Sequence, residues 1–152
     1  MAVYTDVSFE DLESFLGQYD IGMPHAFKGI AEGVENSNFY LTTDRGAFIL
    51  TLYEKRVQAA DLPYFLGLMK HLAQRAVVCP TPVPTKSGAL SNSLNGRPAA
   101  VLTFLEGVSL RNPTAEHCAQ GALALARLHR AGADFTLHRA NALGPSGDRK
   151  ST

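Results

Sequence analysis

The sequence predicts an α+β fold: an antiparallel five-stranded sheet with helices packed on one face, followed by the first helix of a further, helical lobe. Three observations carry this. Two β-rich runs, Phe39 to Thr43 and Ala47 to Tyr53, are joined by only Asp44-Arg45-Gly46, a short polar link with glycine that signals a hairpin. Leu62, Phe65, Leu66, Met69, Leu72 and Ala73 recur at the spacing of one helix face. A polar connection from Glu106 to Pro113 then precedes a helical stretch opened by Thr114.

Taken in order, Ser8 caps a first helix, with Asp11 at the capping-box position and Phe9, Leu12, Phe15, Leu16 and Tyr19 at helical spacing, until Gly22 and Pro24 end it. Ala26 to Ala31 reads as a strand, before the hairpin strands at 38–43 and 47–53. The second helix runs from about Asp61 to Arg75, with Pro63 in its first turn, where a missing N–H costs little. Pro80, Pro82 and Pro84 bracket a short edge strand at about 82–86. Gly88 to Gly96 is turn-rich, a loop or hairpin end. Pro98 to Phe104 is a continuous apolar run that suits a buried strand, placed at 97–104 with its first residue. Thr114 caps the third helix, expected over 114–131 with Gly132 as its stop.

The 152 residues are 45% hydrophobic and 18% charged, with 14 basic and 14 acidic side chains. This is ordinary globular composition, and zero net charge favours neither nucleic acid nor an anionic membrane as partner. No apolar stretch is long enough to span a bilayer, and the first residues lack a signal-peptide pattern. Cys79 and Cys118 form neither a disulfide framework nor a zinc set; they read as small reduced hydrophobes of a cytoplasmic protein. His25, His71, His117, His129 and His138 contain no H-x-x-x-H pair, so they are expected to pack or cap rather than bind metal. Asp134-Phe135 is expected only to close the third helix.

Four runs carry a resemblance to a known family: Phe27 to Phe39, Phe48 to Arg56, Leu62 to Met69, and Val101 to Gly107. Together they resemble the bacterial homoserine kinases of the aminoglycoside-phosphotransferase and choline-kinase-like superfamily, over nearly the whole chain to about Leu143. The resemblance implies that residues 1–104 form a kinase-like N-terminal lobe, 105–113 a hinge, 114–143 the start of the C-terminal lobe, and 144–152 a loose tail. It implies an enzyme that transfers the γ-phosphoryl of ATP, with magnesium, to the hydroxyl of homoserine on the way to threonine. Gly33, Asn36, Ser37 and Asn38 would lie over the phosphates, and the main chain of Thr103, Phe104 and Leu105 would meet the adenine edge. Thr51 stands where many relatives carry a lysine that pairs with the phosphates; a hydroxyl cannot supply that charge. Lys55 and Arg56, just beyond, either substitute for it or form an ordinary solvated strand end.

The superfamily's catalytic segment, H-x-D-x-x-x-x-N, does not occur here, since no histidine is followed two residues later by aspartate. The resemblance therefore implies a chain truncated before its catalytic groups, with no catalytic residue and no metal ligand of its own. Two alternatives stand beside the kinase: a non-catalytic remnant of the N-terminal lobe, or a fragment of another small-molecule kinase of the superfamily. The third helix, left uncovered, would then be open to self-association.

Overall fold

The computed structural model describes residues 5–31, 35–54 and 57–140. Helix α1 spans Phe9–Leu16 and starts in a full capping box: the Asp11 amide donates to Ser8 Oγ, and the Ser8 amide to the Asp11 carboxylate, both at 3.1 Å. It stops at Gly17, short of the expected Tyr19, which instead pairs with Thr85 in an isolated bridge.

Strands β1 (Pro24–Gly29), β2 (Asn36–Thr43) and β3 (Gly46–Tyr53) follow, then a 3₁₀ turn at Ala59–Asp61, helix α2 (Leu62–Gln74), β4 (Asn92–Leu94), β5 (Arg97–Thr103) and helix α3 (Ala115–Gly132). All sheet neighbours are antiparallel, in the order β1-β2-β3-β5-β4. The expected hairpin holds, with Thr43 opposite Gly46 and Gly46 at φ +121°.

Three expectations need correction. The fifth strand is 92–94, not 82–86. Pro82 and Pro84 have no N–H to give, so the ladder there cannot continue. The segment contributes only the Val83 amide to the Val101 carbonyl (2.8 Å) and accepts the Thr103 amide at the Thr81 carbonyl (2.9 Å). The helices also do not share one face. Leu12, Phe15 and Leu16 of α1 pack with Phe39, Leu41, Phe48, Leu50, Ala99 and Val101, while Leu62 and Leu66 of α2 pack with Tyr53, Ala100 and Leu102. Alternate residues of β3 and β5 enter opposite clusters, so strands apolar on both sides demand cover on both sides. Lastly, Gly132 is the final residue inside α3 and lacks a positive φ; Ala133 caps the helix.

α3 opens as expected at Thr114, in a capping box completed by His117, whose Nδ1 accepts the Thr114 amide at 3.0 Å. None of its residues is buried. The chain after it doubles back along α2. Asp134 accepts from Arg75 and lies 3.1 Å from His71 Nε2. Phe135 packs on Tyr64, His71 and Gly67, and Arg139 pairs with Asp61 at 2.9 Å while stacking over Phe65. Among the described residues, no helix is long and apolar enough to cross a membrane.

Candidate functional site

The face of the sheet shared with α2 gathers Asn36, Asn38, Thr51 and Phe104 of the residues singled out in the sequence. Along β2 the side chains alternate, so Asn36, Asn38 and Tyr40 point to this face and Ser37, Phe39 and Leu41 to the other. Asn38 lies opposite Thr51 in the register, and Thr51 Oγ1 donates to Asn38 Oδ1 at 2.8 Å. That bond fixes the amide plane and leaves the Asn38 NH₂ to donate elsewhere. Thr51 is therefore an orienting group; it supplies no charge. The Asn36 Oδ1 is buried with no hydrogen-bond partner among the described residues. As an acceptor it calls for an N–H or O–H donor.

At the other end of this face, Phe104 meets the edge of Tyr40, ring centres 5.1 Å apart. Phe104 and Leu105 follow the last paired residue, Thr103, and are exposed. Thr103 differs from expectation. Its amide is given to the Thr81 carbonyl, and its hydroxyl accepts the Thr81 amide at 2.9 Å; its pairing with Phe48 puts the side chain on the α1 face. The strand end is thus stitched to the proline-rich segment, and the exposed Phe104 and Leu105 follow it beyond the sheet pairing. Gly33, Lys55 and Arg56 lie outside the described residues.

Ser37 is fully buried on the α1 face, where it donates to Glu54 Oε1 at 2.7 Å. Two side chains escaped the sequence reading. One is Glu54 itself. The other is Lys28, directly opposite Tyr40 in β1 and so a cation on the α2 face. Simple alternation in Phe27-Lys28 against a paired strand was the available signal for Lys28.

His71 packs, His117 caps α3, and the exposed His25 lies 2.7 Å from Asp44. His71 Nε2 sits 3.0 Å from the Ala131 carbonyl, while Arg75 donates to its Nδ1 at 3.2 Å, so the neutral ring carries its proton on Nε2. Arg75 and His71 hold the Asp134 carboxyl below its ordinary range, the Arg75 hydrogen bond contributing most. Cys79 is half-buried, which pushes its thiol up; Cys118 is exposed, unlike the packed hydrophobe expected. Among the described residues no three histidine, cysteine or acidic side chains lie close enough to hold a metal ion, so no step through magnesium is assigned to them. An open groove of about 820 Å³ lies elsewhere, between the end of α2 and α3, lined by Val77, Val78, Leu125 and Leu128 among others.

This architecture, with a two-faced antiparallel sheet and a polar strand end beside a helix, matches a known class. The sequence profile of the phosphotransferase enzyme family fits residues 26–152, and the chain belongs to that family. Within it, the chain is similar to homoserine kinases of Xanthobacter autotrophicus (61% identical over 149 residues), Sinorhizobium fredii (60% over 149) and Mesorhizobium japonicum (59% over 150). The matches cover 98–99% of this chain but 46–47% of those proteins, so the chain spans about half their length. Its fold is shared with a spectinomycin phosphotransferase solved with ADP and spectinomycin (TM-score 0.69, 13% identity, 93% of this chain and 44% of that one). An aminoglycoside phosphotransferase from Alicyclobacillus acidocaldarius shares it too (TM-score 0.56, 19% identity, 81% and 36%).

Proposed function

We propose that this chain is the nucleotide-covering part of a homoserine kinase, which transfers the γ-phosphoryl of ATP to the homoserine hydroxyl in the cytoplasm. The observation that carries the reading is the identity of about 60% to homoserine kinases, sustained over 98% of the chain. The α2 face of the sheet supports it. The Asn36 and Asn38 amides and the Lys28 ammonium are donors suited to phosphate oxygens. Tyr40 and Phe104, in ring contact, would give an apolar wall for a purine, and the main chain at Phe104 and Leu105 would meet its edge. Magnesium, when bound, would neutralise charge developing on the phosphates; the described residues offer it no ligand set. No residue here is assigned as the acid or base that handles the homoserine proton, since no H-x-D run occurs in this sequence.

Residues 1–152 alone, with ATP, magnesium and homoserine, are expected to form no ADP above background. Fusing residues 1–140 to the portion of the Xanthobacter autotrophicus homoserine kinase that this chain does not match is expected to give homoserine-dependent ADP, with choline and aminoglycosides inert. Turnover by the unfused chain at about 1–100 s⁻¹, normal for kinases, or a hybrid that phosphorylates only an aminoglycoside or choline, would overturn the reading. The exposed Leu123, Leu125 and Leu128 of α3 also favour self-association of the chain on its own.

A further inference from the structure

The buried carboxylate of Glu54 has no place in the chemistry above, yet it is the most heavily bonded side chain near the site. It follows the last residue of β3 and is 7% exposed. One oxygen accepts from Ser37 Oγ at 2.7 Å and from Thr5 Oγ1 at 2.8 Å; the other lies 3.1 Å from Arg97 Nε. A buried carboxylate is costly unless its acceptor sites are filled, and here each oxygen is engaged.

The register explains the meeting. β3 pairs with β5 so that Phe48 faces Thr103 and Leu52 faces Ala99; carried two residues on, Glu54 faces Arg97, the first residue of β5. On its other side Leu52 faces Ser37, which puts Ser37 on the diagonal from Glu54. Glu54 therefore grips the neighbouring strands β2 and β5, and the N-terminal segment through Thr5. Ser37 stands between Asn36 and Asn38. Because successive strand side chains point to opposite faces, fixing Ser37 beneath the sheet aims both asparagine amides above it.

We propose that Glu54 is a positioning residue for the phosphate-facing amides: it clamps Ser37 so that Asn36 and Asn38 are held towards the nucleotide. This rests on the nucleotide reading given above for those amides. Ser37 is then the pin of the Asn-Ser-Asn triplet, and its hydroxyl is not a ligand. Thr51 fixes the Asn38 amide plane from the far side, so that residue is held from both faces of the sheet.

The test uses the whole chain and two readouts. In Glu54→Gln, amide hydrogen exchange at Ser37 and Asn38 is expected to quicken roughly tenfold or more, the size of one lost charge-assisted hydrogen bond, while exchange at Leu66 in α2 is unchanged. ATP affinity, measured by calorimetry, is expected to weaken by a similar factor. Leu12→Ala, which opens a cavity in the α1 core, is expected to lower the melting temperature at least as much and to leave ATP affinity within about threefold; an equal loss of affinity there would reduce Glu54 to a general stabiliser and overturn the proposal. Should Glu54→Gln not fold, Ser37→Ala removes the bond to Glu54, with the weaker one from the Thr5 amide, and is read in the same way. Exchange at Ser37 and Asn38 that does not rise, or rises no more than at Leu66, refutes the clamp whatever the affinities. A wild-type chain that binds no ATP refutes the nucleotide reading, and with it the purpose assigned to the clamp, while the exchange data still decide whether Glu54 holds the triplet.

Discussion

Two tyrosine hydroxyls, Tyr19 in the α1 cluster and Tyr53 in the α2 cluster, are held away from water by the packing around them. Burial alone pushes each phenol up to about 12, from an ordinary value of 10.0. The sign of the effect on stability follows. Below 10 both states keep the proton and the stabilisation is complete; above it the unfolded chain ionises first, and stability falls as pH rises towards 12. Tyr19 and Tyr53 should therefore titrate late in ultraviolet absorbance, in step with loss of helical circular dichroism. The Tyr19 hydroxyl has no partner among the described residues. Tyr19→Phe should thus remove one late step and leave stability unchanged or raised, because an unpaired buried hydroxyl costs desolvation that its deletion relieves. A loss would reveal a bond to that hydroxyl. The same attention to single groups separates Thr51 from the lysine that relatives carry. It is buried against Asn38 as an orienting donor, and the cation assigned above to that face, Lys28, lies two strands away in β1.

Among the elements, α3 stands apart. It has a full N-terminal cap and many alanines, which keep it helical at little cost. Its flank is uncovered, however, and most helix stability comes from tertiary packing. It is tied to the rest at its C-terminal end, through the Ala131 carbonyl to His71. Amide exchange at Leu125 and Ala126 should accordingly be much faster than at Leu50, which is fully buried in β3; equal protection in a demonstrably monomeric sample would sink this. The helices and the central hairpin were legible in the sequence because each is set by local signals: Ser8 with Asp11, Thr114, Pro63, and Asp44-Arg45-Gly46. β4 was not, since Asn92-Ser93-Leu94 has no β-rich composition. The Asn95-Gly96 dipeptide was its clearest mark, both residues at positive φ in a tight hairpin turn. The ridge of prolines drew the strand assignment instead. Which face each site residue takes could be read only in part, because the faces of Ser37 and Thr103 follow from strand register, opposite Leu52 and Phe48, and their bonds to Glu54 and Thr81 are long-range, which no local pattern announces.

At the scale of the whole molecule, the described chain is a helix, sheet and helix stack to which α3 is appended. Its first core, around Leu12, Leu41, Leu50 and Val101, is closed by α1; its second, around Leu62, Leu66 and Leu102, by α2. The proposed site opens on this second side, at the sheet margin where Asn36, Asn38 and Lys28 replace apolar residues. That arrangement explains how a neutral chain can present a locally donor-rich surface: the donors come from neighbouring strands and converge only through the register.

The return of residues 133–139 along α2 has a further consequence. Residues 104–130 are exposed throughout, so a protease should cut first between Phe104 and Thr114. The two pieces would still be fastened through Arg75 to Asp134, Phe135 on Gly67 and Arg139 to Asp61. A nicked molecule should therefore run as one particle in native electrophoresis and as two bands after denaturation, and would separate natively once Phe135→Ala and Arg139→Ala loosened the fastening. The continuous peptide between the sheet and α3 would then be dispensable for holding them together, and the molecule would tolerate new chain ends there.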